Sequence, residues 1–322
     1  MRGLYRFIWL ILLSEIGICQ DPQFSQFYSN PLYLGPSFAG AVEGSRVAMV
    51  VREQWREAPA NFRAYSISYD HYFSTFNSGV GIIAYKDVAG TSQLGSLNIG
   101  LQYSYNFRIF NLIHVRPGLA FYYVEHGFYG SLLFMDEIIH GGGNTGAPDP
   151  SRERSRDIDV GTSALVYTKK FWMGSTVDHL LTPSISLYAA ESNIPVKFSI
   201  YGGYEFRRRG KLLKPSDETM TFAYMYKQQA SIRQLDLGVY WHNYPLVLGL
   251  WYRGIPGVNS QRGDAMVFLM GIKTRQVNVG YSYDFTISNL LSAVRGSHEI
   301  SLTFKFLLPK RTKKGGVPCP EF

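Results

Sequence analysis

The clearest pattern in the chain is an alternation of apolar and polar residues near its C-terminal end. From Val277 to Phe285, every second residue is a valine or an aromatic, and the residues between them are small or polar. The same alternation returns from Ile300 to Phe306. A period of two places one set of side chains on each face of a β-strand. The strands that contain these runs have about ten residues each, the length with which a tilted strand crosses a bilayer.

This period-two pattern recurs along the chain and predicts fourteen strands. We predict them at residues 46–54, 62–73, 78–86, 96–108, 113–126, 157–167, 170–177, 196–207, 219–227, 230–242, 246–254, 263–273, 275–286 and 297–307. An even number of strands returns the chain to the side of the membrane on which it began. A β-barrel of the outer membrane has this property, with short periplasmic turns and longer extracellular loops.

The connections between the predicted strands test this interpretation. If the first strand leaves the periplasm, the connections at 74–77, 109–112, 168–169, 243–245 and 274 are periplasmic, and all of them are short. The connections at 128–156, 178–195, 255–262 and 287–296 are extracellular and long. A long turn at 208–218 and a short loop at 228–229 break the rule. The sequence therefore favours an all-β transmembrane antiparallel barrel of about 14 strands over a soluble β-sandwich, which uses the same alternation.

The alternation also predicts which residues face the lumen. A sheet edge in hydrocarbon leaves backbone groups unpaired, so the sheet must close, with its apolar row toward lipid. The charged residues expected on the lumen side are Asp70, Glu205, Arg207, Arg253, Asp284, Glu299 and Lys305. Mixed signs in a lumen favour ion pairs over an acid–base pair. The tryptophans near strand ends are expected in interfacial girdles, namely Trp55, Trp172, Trp241 and Trp251.

The N-terminal residues 1–19 have the features of a secretory signal. Arg2 and Arg6 precede a short apolar core, and the cleavage site is expected near Gln20. Lipidation of Cys19 is an alternative, although the bulky Ile18 before it argues against this modification. We therefore expect the protein to be exported, with residues 46–308 forming the barrel.

Residues 20–45 are expected to form a separate periplasmic segment. Pro22, Pro31 and Pro36 exclude a long helix or a central strand. The segment is rich in aromatic residues, which argues against a floppy leader. We predict an ordered segment that packs its aromatic side chains on or inside the main body.

The composition excludes several other classes of protein. Aromatic residues make up 15% of the chain and charged residues 17%, a balance typical of a β-rich protein with aromatic belts. The mature chain has no run of about 18 apolar residues, so a helical membrane protein is excluded. Without residues 1–19 the formal charge falls from +8 to +7, and this excess is spread over loops and tail, so we expect no nucleic-acid partner. One cysteine, Cys319, follows the signal, so no intramolecular disulfide is expected.

Candidates for catalysis or metal binding are weak. His298 and Glu299 are adjacent, but a metalloprotease pattern needs a second histidine at helical spacing. Ser175 lacks the flanking glycines of a nucleophile elbow. The glycines at 141–143 are not followed by the Lys-Ser/Thr pair of a phosphate-binding loop. We therefore expect no catalytic site, no cofactor and no metal.

Motifs spread in order along nearly the whole chain resemble the PorP/SprF family. They are Asp-Pro-Gln-Phe-Ser-Gln-Phe-Tyr at 21–28 with Asn-Pro at 30–31 and Ala-Gly at 39–40, Arg-Glu-Gln-Trp at 52–55, the stretch from Phe-Trp at 171–172 to His-Leu at 179–180, Tyr-Ser-Tyr-Asp-Phe at 281–285, Gly-Ser-His-Glu-Ile at 296–300 and Cys-Pro-Glu-Phe at 319–322. The candidate residues in these motifs are Asp21, Pro22, Phe24, Tyr28, Trp55, Trp172, His179, Asp284, His298 and Glu299. Gly35-Pro36-Ser37 departs from the usual Asn-Pro-Ala-like motif.

The resemblance implies an outer-membrane barrel of the type IX secretion system of Bacteroidetes. Its implied partners are outer-membrane lipid, the periplasmic lipoprotein ring of that machine, and a large exported adhesin of the gliding type or another cargo protein. A passive porin or small-solute channel remains an alternative, because the fold alone allows it. A third possibility is an outer-membrane enzyme such as a lipid hydrolase, but no Ser or His constellation supports it.

The C-terminal tail, residues 309–322, is basic and contains prolines. An even strand number places it in the periplasm. Within the tail, the candidates for binding a periplasmic partner are Pro318, Cys319, Pro320 and Phe322. Solvated disorder is the alternative for this segment.

Overall fold

The structure, a computed structural model, describes residues 21–56, 61–90, 93–109, 112–129, 154–187, 192–207, 218–254, 265–287 and 296–307. The predicted signal peptide, most of the loop at 128–156 and the tail at 309–322 lie outside these residues. None of the helices in the described ranges has the length and apolar character needed to cross a membrane.

The described residues form one antiparallel sheet that closes on itself. Its strands are β1 (Gly44–Gln54), β2 (Phe62–Phe73), β3 (Ser78–Ala89), β4 (Leu94–Tyr105), β5 (Phe107–Ile109), β6 (Ile113–Phe128), β7 (Arg154–Tyr167), β8 (Phe171–Asp178), β9 (Lys197–Arg207), β10 (Thr219–Gln229), β11 (Ile232–Asn243), β12 (Leu246–Gly254), β13 (Ala265–Lys273), β14 (Val277–Thr286) and β15 (Ser297–Leu307). Strand β5 continues β4 and pairs with the same neighbour, β6. The wall of the barrel therefore has fourteen strands.

Closure is complete along the seam between the first and last strands. Strand β1 pairs with β15 from Gly44↔Leu307 to Gln54↔Ser297. On the other side of β1, consecutive strands pair in turn around to β15, with β4 bonded to β6. A closed sheet leaves no edge whose backbone groups would lie unpaired in lipid. This confirms the predicted fourteen-stranded barrel.

The two faces of the wall follow the predicted alternation. In β2, Ile67 is 49% exposed, whereas its neighbours Ser66 and Ser68 are buried on the lumen side. The last hairpin shows the same pattern, with Ile300 exposed and Glu299 fully buried. The lumen-facing polar residues are buried because another part of the chain covers them, as described below.

The described connections agree with the predicted grouping of short turns at one end of the barrel. Short turns at 74–77, 168–170, 244–245 and 274–276 join strands at one end of the barrel. We call this end the periplasmic mouth and the opposite end the outer mouth. The outer connection between β10 and β11 is residues 230–231, two residues later than predicted, and it remains a short loop that departs from the rule of long outer loops.

Residues 21–43 lie inside the barrel, and we call them the plug. They contain a 3-10 turn (Phe27–Ser29), the short helix α1 (Pro31–Leu34) and a second 3-10 turn (Pro36–Phe38). Prolines begin the last two of these elements, where their missing N–H is not needed. The plug lies between the walls rather than in the periplasm. The sequence predicted that this segment packs on or inside the main body. The structure shows that it packs inside.

The prediction that Trp172 and Trp251 lie in interfacial girdles is wrong. Trp172 and Trp251 point into the lumen and are only 2% and 3% exposed. Each indole lies over a glycine of the neighbouring strand, Gly203 and Gly238 respectively, so that no side chain holds the ring away from the wall. A Cβ at Gly238 would lie 2.0 Å from Trp251 Cδ2. The other two tryptophans, an exposed Trp241 and a half-buried Trp55, do not point into the lumen core.

Candidate functional site

The plug crosses the lumen from the outer mouth to the periplasmic mouth. Asp21 contacts Lys197 at the outer end of β9. Gly40 contacts Gly79 at the periplasmic end of β3. The plug therefore runs downward through the barrel before β1 turns back up. Three groups of polar side chains on the wall hold it at three depths, and they form the candidate functional site.

The middle group is centred on Glu299 of β15. Its two carboxylate oxygens accept hydrogen bonds from the backbone N–H groups of Ser25 and Gln26, each at 2.7 Å. The side chain of Gln26 is fully buried and accepts a hydrogen bond from Ser301 Oγ at 2.7 Å. It also donates to Ser282 Oγ at 3.1 Å. Hydrogen bonds to a charged acceptor are stronger than neutral ones, so this group fixes the depth of the plug.

A buried ion-pair network surrounds the same point of the plug. Arg52 of β1 bridges Asp284 and Glu299 at 2.7 and 3.2 Å. Arg253 of β12 lies 2.9 Å from Asp284, and both arginines donate to Ser25 Oγ. Two positive and two negative side chains thus meet around Ser25, with Glu299 at its backbone N–H and the other three at its hydroxyl. Mutual pairing and further hydrogen bonds are what make buried charges tolerable.

The outer group holds the first described residue of the chain. His179, just beyond the end of β8, lies 2.7 Å from Asp159 Oδ2 through Nδ1 and 3.0 Å from Asp21 through Nε2. Lys197 pairs with Asp21 and, at 3.0 Å, with Asp178. Asp21 therefore receives two cationic partners from the outer ends of β8 and β9.

Electrostatics at the outer group favour the charged imidazole. Burial alone would lower the pKa of His179, but the charge of Asp21 and the hydrogen bonds to both carboxylates outweigh burial and raise the pKa to about 10. In the same way, His179 and Lys197 hold the pKa of Asp21 well below its usual range in spite of burial. His179 is therefore an imidazolium at neutral pH, with both N–H groups donating to carboxylates.

The inner group holds the end of the plug near the periplasmic mouth. Arg116 of β6 donates to the carbonyl oxygens of Ser37 and Gly40, both at 3.1 Å, and also to that of Ala39. Asp70 accepts a hydrogen bond from the Gly40 N–H at 2.8 Å and pairs with Arg46 at the same distance. Side chains of the wall thus hydrogen-bond both to carbonyl groups and to an N–H group of the plug backbone.

Glycines in the wall allow this close approach. A Cβ at Gly79 would lie 1.9 Å from the Ala39 carbonyl oxygen. A Cβ at Gly118 would lie 2.3 Å from the Ser37 nitrogen. Both contacts are with backbone atoms, which cannot swing away. At these two positions any side chain would push the plug off the wall.

The other side of the plug packs against apolar side chains of the wall. Phe27 meets Trp251 edge to face with ring centroids 4.9 Å apart, and Tyr28 meets Tyr240 in the same way. The wall residues in this cluster are Leu165, Tyr167, Trp172, Tyr201, Ala223, Met225, Tyr240, Val247, Trp251, Val267 and Leu269. The lumen therefore has an apolar cluster on β7–β13 and an ion-pair network on β1, β14 and β15 that also includes Arg253 of β12, and the plug contacts both.

The structure brings several of the sequence-predicted residues together. On the lumen side, Asp70, Arg253, Asp284, Glu299 and Lys305 are buried. Glu205 is half-buried near the periplasmic end of β9. The side chain of Arg207 and the tail candidates Pro318, Cys319, Pro320 and Phe322 lie outside the described residues.

The candidates taken from the family motifs fall into two groups. Asp21 and His179 contact each other, as do Asp284 and Glu299 through Arg52, and Phe24, Tyr28 and Trp172 are in or against the plug. The carbonyl oxygen of Pro22 accepts a hydrogen bond from the Tyr33 hydroxyl. His298 and Trp55 lie elsewhere, at the outer rim of the wall. His298 points outward and lies 2.8 Å from the Tyr281 hydroxyl through Nδ1.

Sequence reasoning missed the partners of these residues. Arg46, Arg52 and Arg116 were not among the predicted lumen charges, yet each holds the plug. Arg46 and Arg52 occupy the same strand parity as the small and apolar residues Ala48 and Val50, which are buried. This alternation could have predicted that both arginines face the lumen. An arginine on the covered face of a strand needs a buried acceptor.

Comparison with known proteins identifies the family of this chain. The model of the family described as "Type IX secretion system membrane protein PorP/SprF" matches residues 17–304. The chain belongs to the PorP/SprF family. No curated protein matches it significantly.

Solved structures resemble this PorP/SprF-family protein in fold alone. One is the CymD monoaromatic hydrocarbon channel, with 13% identity, a TM-score of 0.50, and coverage of 87% of this chain and 93% of that one. Another is the outer membrane protein Omp33 of Acinetobacter baumannii, with 10% identity, 83% and 100% coverage, and a TM-score of 0.48. A third is a Pseudomonas aeruginosa FadL homologue, with 11% identity, 84% and 93% coverage, and a TM-score of 0.49.

The family and the barrel together define the protein at a coarse level. It is an outer-membrane β-barrel and a membrane component of the type IX secretion system. Its family is a secretion-system family rather than an enzyme family.

Proposed function

We propose that this PorP/SprF-family protein is a docking component of the type IX machine rather than an open pore. In this proposal, one mouth of the barrel binds the periplasmic lipoprotein ring, and the other serves a large exported adhesin or another cargo during export and surface attachment. The observation that carries the proposal is the plug. A barrel whose lumen is occupied by its own chain offers two separate mouths as binding surfaces instead of one passage.

The passive porin is the second candidate, because the fold alone would allow it. Contacts at three depths argue against it. Glu299, Asp70 and His179 each hold a different part of the plug. Moving the plug aside would remove these partners from Glu299, Asp70 and His179, and from Arg52 as well. Water would then have to solvate their charges instead. We therefore expect the wild-type barrel to show no steady ion conductance in planar bilayers, whereas a porin would conduct.

We also propose that the protein has no catalytic activity. Several buried side chains that could serve as acids or bases, among them Glu299, Asp284 and His179, are engaged in holding the plug. His179, for example, has a carboxylate on each ring nitrogen. An imidazole that donates through both nitrogens cannot accept a proton from a substrate.

We further propose that the C-terminal tail and the outer loops are contact surfaces for partner proteins. The tail at 309–322 would meet machine components in the periplasm, and the loops at 128–156 and 178–195 would meet exported substrate. Deletion of 309–322 should lower co-purification of ring components. Unchanged secretion and co-purification after this deletion would remove the tail from the proposal.

The decisive experiment is a strain that lacks the gene, assayed for adhesin at the cell surface. We expect loss of surface adhesin, restored by the tagged wild-type protein, and co-purification of ring lipoproteins with the tagged barrel. Normal surface adhesin together with ion conductance of the purified protein would favour the porin instead.

A further inference from the structure

The exterior of the barrel carries charged side chains where its apolar band ends near the outer mouth. Along β6, the outward-facing residues Phe121 and Tyr123 are exposed, and the next residue on this face toward the outer mouth is Glu125. On β7, the exposed Ile158 has Arg156 as its outer neighbour on the same face. On the outside of a membrane barrel, such a change marks the level at which hydrocarbon gives way to lipid headgroups.

The register of the sheet brings charged residues of several strands together at this level. Lys86 of β3 is opposite Leu97 of β4, and Leu97 is opposite Glu125. Glu125 is in turn opposite Arg156, and Arg154 occupies the next outward-facing position of β7. We define the outer cluster as Lys86, Glu125, Tyr129, Arg154 and Arg156.

The two arginines of the outer cluster share one carboxylate. Arg154 donates through Nη1 to Glu125 Oε1 at 2.7 Å, and Arg156 donates through Nε to Glu125 Oε2 at 3.1 Å. A guanidinium has five N–H donors, and within the described ranges neither arginine forms a further hydrogen bond. The side chain of Arg156 is 63% exposed, so its remaining donors can reach a ligand outside the barrel.

The ammonium group of Lys86 belongs to the same cluster through Tyr129. Lys86 Nζ lies 3.6 Å from the centroid of the Tyr129 ring, and Arg154 Cζ lies 4.9 Å from it. A neutral ring attracts a cation without cancelling its charge. The neighbouring carboxylate, Asp87, is on the lumen face of β3, where it accepts a hydrogen bond from Ser96 Oγ. In the part of the chain that the structure describes, Lys86 therefore has no carboxylate partner.

The charge and the donors of the outer cluster match one phosphate group. Three of its side chains are cationic and one is anionic, so its net charge is +2. A phosphate monoester carries about −1.5 to −2 charge at pH 7. Arginine binds phosphate through paired N–H donors, and lysine binds it as a point charge.

The surroundings of the outer cluster favour a lipid as the molecule that carries this phosphate. Phe121, Tyr123 and Ile158 lie on the same face, toward the middle of the membrane, and all three are exposed. Acyl chains cover such a surface in a bilayer. A lipid of the outer leaflet would contact both the charged and the apolar part, whereas an acidic protein segment would contact only the charged part.

We propose that the outer cluster binds the phosphate group of a phosphorylated lipid of the outer leaflet. Lys86 and Arg156 contact the phosphate, and the acyl chains pack against Phe121 and Ile158. Recognition of one headgroup distinguishes this site from the contact with hydrocarbon that any membrane barrel makes. The site does not depend on the docking function proposed above.

The test uses the full-length barrel in detergent micelles, with native mass spectrometry to measure bound lipid. The probe is monophosphorylated lipid A, and the comparison lipid is the same molecule without its phosphate. We expect one phosphorylated lipid per barrel and at least about tenfold weaker binding of the other lipid, as expected for lost hydrogen bonds to a charged group. The double variant Lys86→Gln/Arg156→Gln keeps the pair of Arg154 and Glu125, and it should weaken binding of the phosphorylated lipid by a similar factor.

Two further variants separate the outer cluster from general charge and from folding. Lys169→Gln/Lys170→Gln removes the same charge from an exposed periplasmic turn and should bind like the wild type. Glu125→Gln removes the carboxylate that competes for both arginines, so it should bind about two- to fivefold more tightly, the range of one exposed charge interaction. The shift in gel mobility on heating reports that each barrel is folded.

Several outcomes would overturn the proposal. Equal binding of the two lipids, or an equal loss in the Lys169→Gln/Lys170→Gln control, would show that the cluster does not recognise the phosphate. Weaker binding by a folded Glu125→Gln barrel would show that the ion pairs serve only the structure of the wall. Complete displacement of the lipid by inorganic phosphate at the same concentration would indicate a small-anion site only. Complete displacement by hexaglutamate at that concentration would indicate an acidic protein partner instead.

Discussion

At the scale of single residues, the plug depends on a few buried charges that each serve several partners. Glu299 holds two backbone N–H groups of the plug and one arginine of the wall. Asp284 receives both Arg52 and Arg253, and also the Ser25 hydroxyl. Because each charge is shared, removing one leaves several groups without a partner in a buried place, where unpaired groups are costly.

Replacing Glu299 by Gln tests this network without changing the size of the side chain. We expect the free energy of unfolding to fall by about 3–5 kcal/mol, the usual cost of removing one partner of a buried ion pair. Urea titration in detergent micelles measures the loss. The matched control is Glu53→Gln at the rim, where Arg63 lies 3.6 Å away and is half exposed, and it should cost less than about 1 kcal/mol. Equal losses in the two variants would contradict the network.

His179 makes the outer attachment of the plug sensitive to alkaline pH. Its pKa is raised from 6.5 to about 10, so folding favours the protonated form. The resulting stabilisation is complete below pH 6.5 and declines as the pH rises toward 10, because the unfolded chain has then already lost the proton. We expect the melting temperature of the wild type to approach that of His179→Gln over this range. Parallel melting curves of the two proteins from pH 6 to pH 10 would show that the pairing with Asp21 contributes nothing.

At the scale of elements, the plug is an irregular segment that fits a regular wall through glycines. Strands β3 and β6 carry Gly79 and Gly118 where the plug backbone comes nearest. Phe27 and Tyr28 of the plug pack elsewhere in the lumen, against Trp251 and Tyr240. The plug is thus held by close backbone contact at some points and by packed rings at others.

The substitution Gly118→Ala should displace the plug while leaving the wall intact. Its Cβ would meet the backbone of Ser37 at 2.3 Å, a distance that requires the plug to move. We expect faster proteolysis within residues 21–43 and an unchanged shift in gel mobility on heating. Gly161→Ala is the control, since its nearest neighbour is a side-chain oxygen of Asp178 at 3.1 Å. Equal protection of the plug in both variants would contradict the close contact.

The strands could be predicted from the sequence because each one carries its own signal. Period-two alternation is local, so Ile67 and Ser66 reveal their faces without knowledge of any partner. The plug has no such period, and its contacts join residues far apart in the chain, such as Ser25 and Glu299. Its aromatic residues indicated order, but not the lumen as its position.

The misplaced tryptophans have a similar cause. Trp251 at a strand end satisfies the pattern of an interfacial girdle when β12 is considered alone. Its inward direction depends on Gly238 of β11 and on Phe27 of the plug, which meets the indole at 4.9 Å. Neither neighbour can be identified from one strand. Asp284 and Glu299 of the candidate site were therefore predictable one by one, whereas its arginines Arg46, Arg52 and Arg116 and its assembly were not.

At the scale of the whole molecule, the backbone hydrogen bonds of the wall are independent of the plug, whereas the side chains in the lumen are not. The ladder of strands closes through β1–β15 and β4–β6 without any contribution from residues 21–43. The lumen, in contrast, has an apolar side that water would cover poorly if the plug were absent. The plug therefore contributes to stability and to closure of the passage, while the wall can form without it.

Deleting residues 21–43 should convert the closed barrel into an ion channel of lower stability. Barrels of eight strands are filled by their own side chains, whereas those of about 16–18 strands leave an aqueous channel, so fourteen strands without a plug leave room for water. We expect steady conductance in planar bilayers for the deletion and none for the wild type. Asp284→Asn, which keeps the plug but weakens its middle attachment to Arg52 and Arg253, should give brief openings. The same steady conductance in all three proteins would mean that the plug does not close the lumen, and the docking proposal would lose the observation on which it stands.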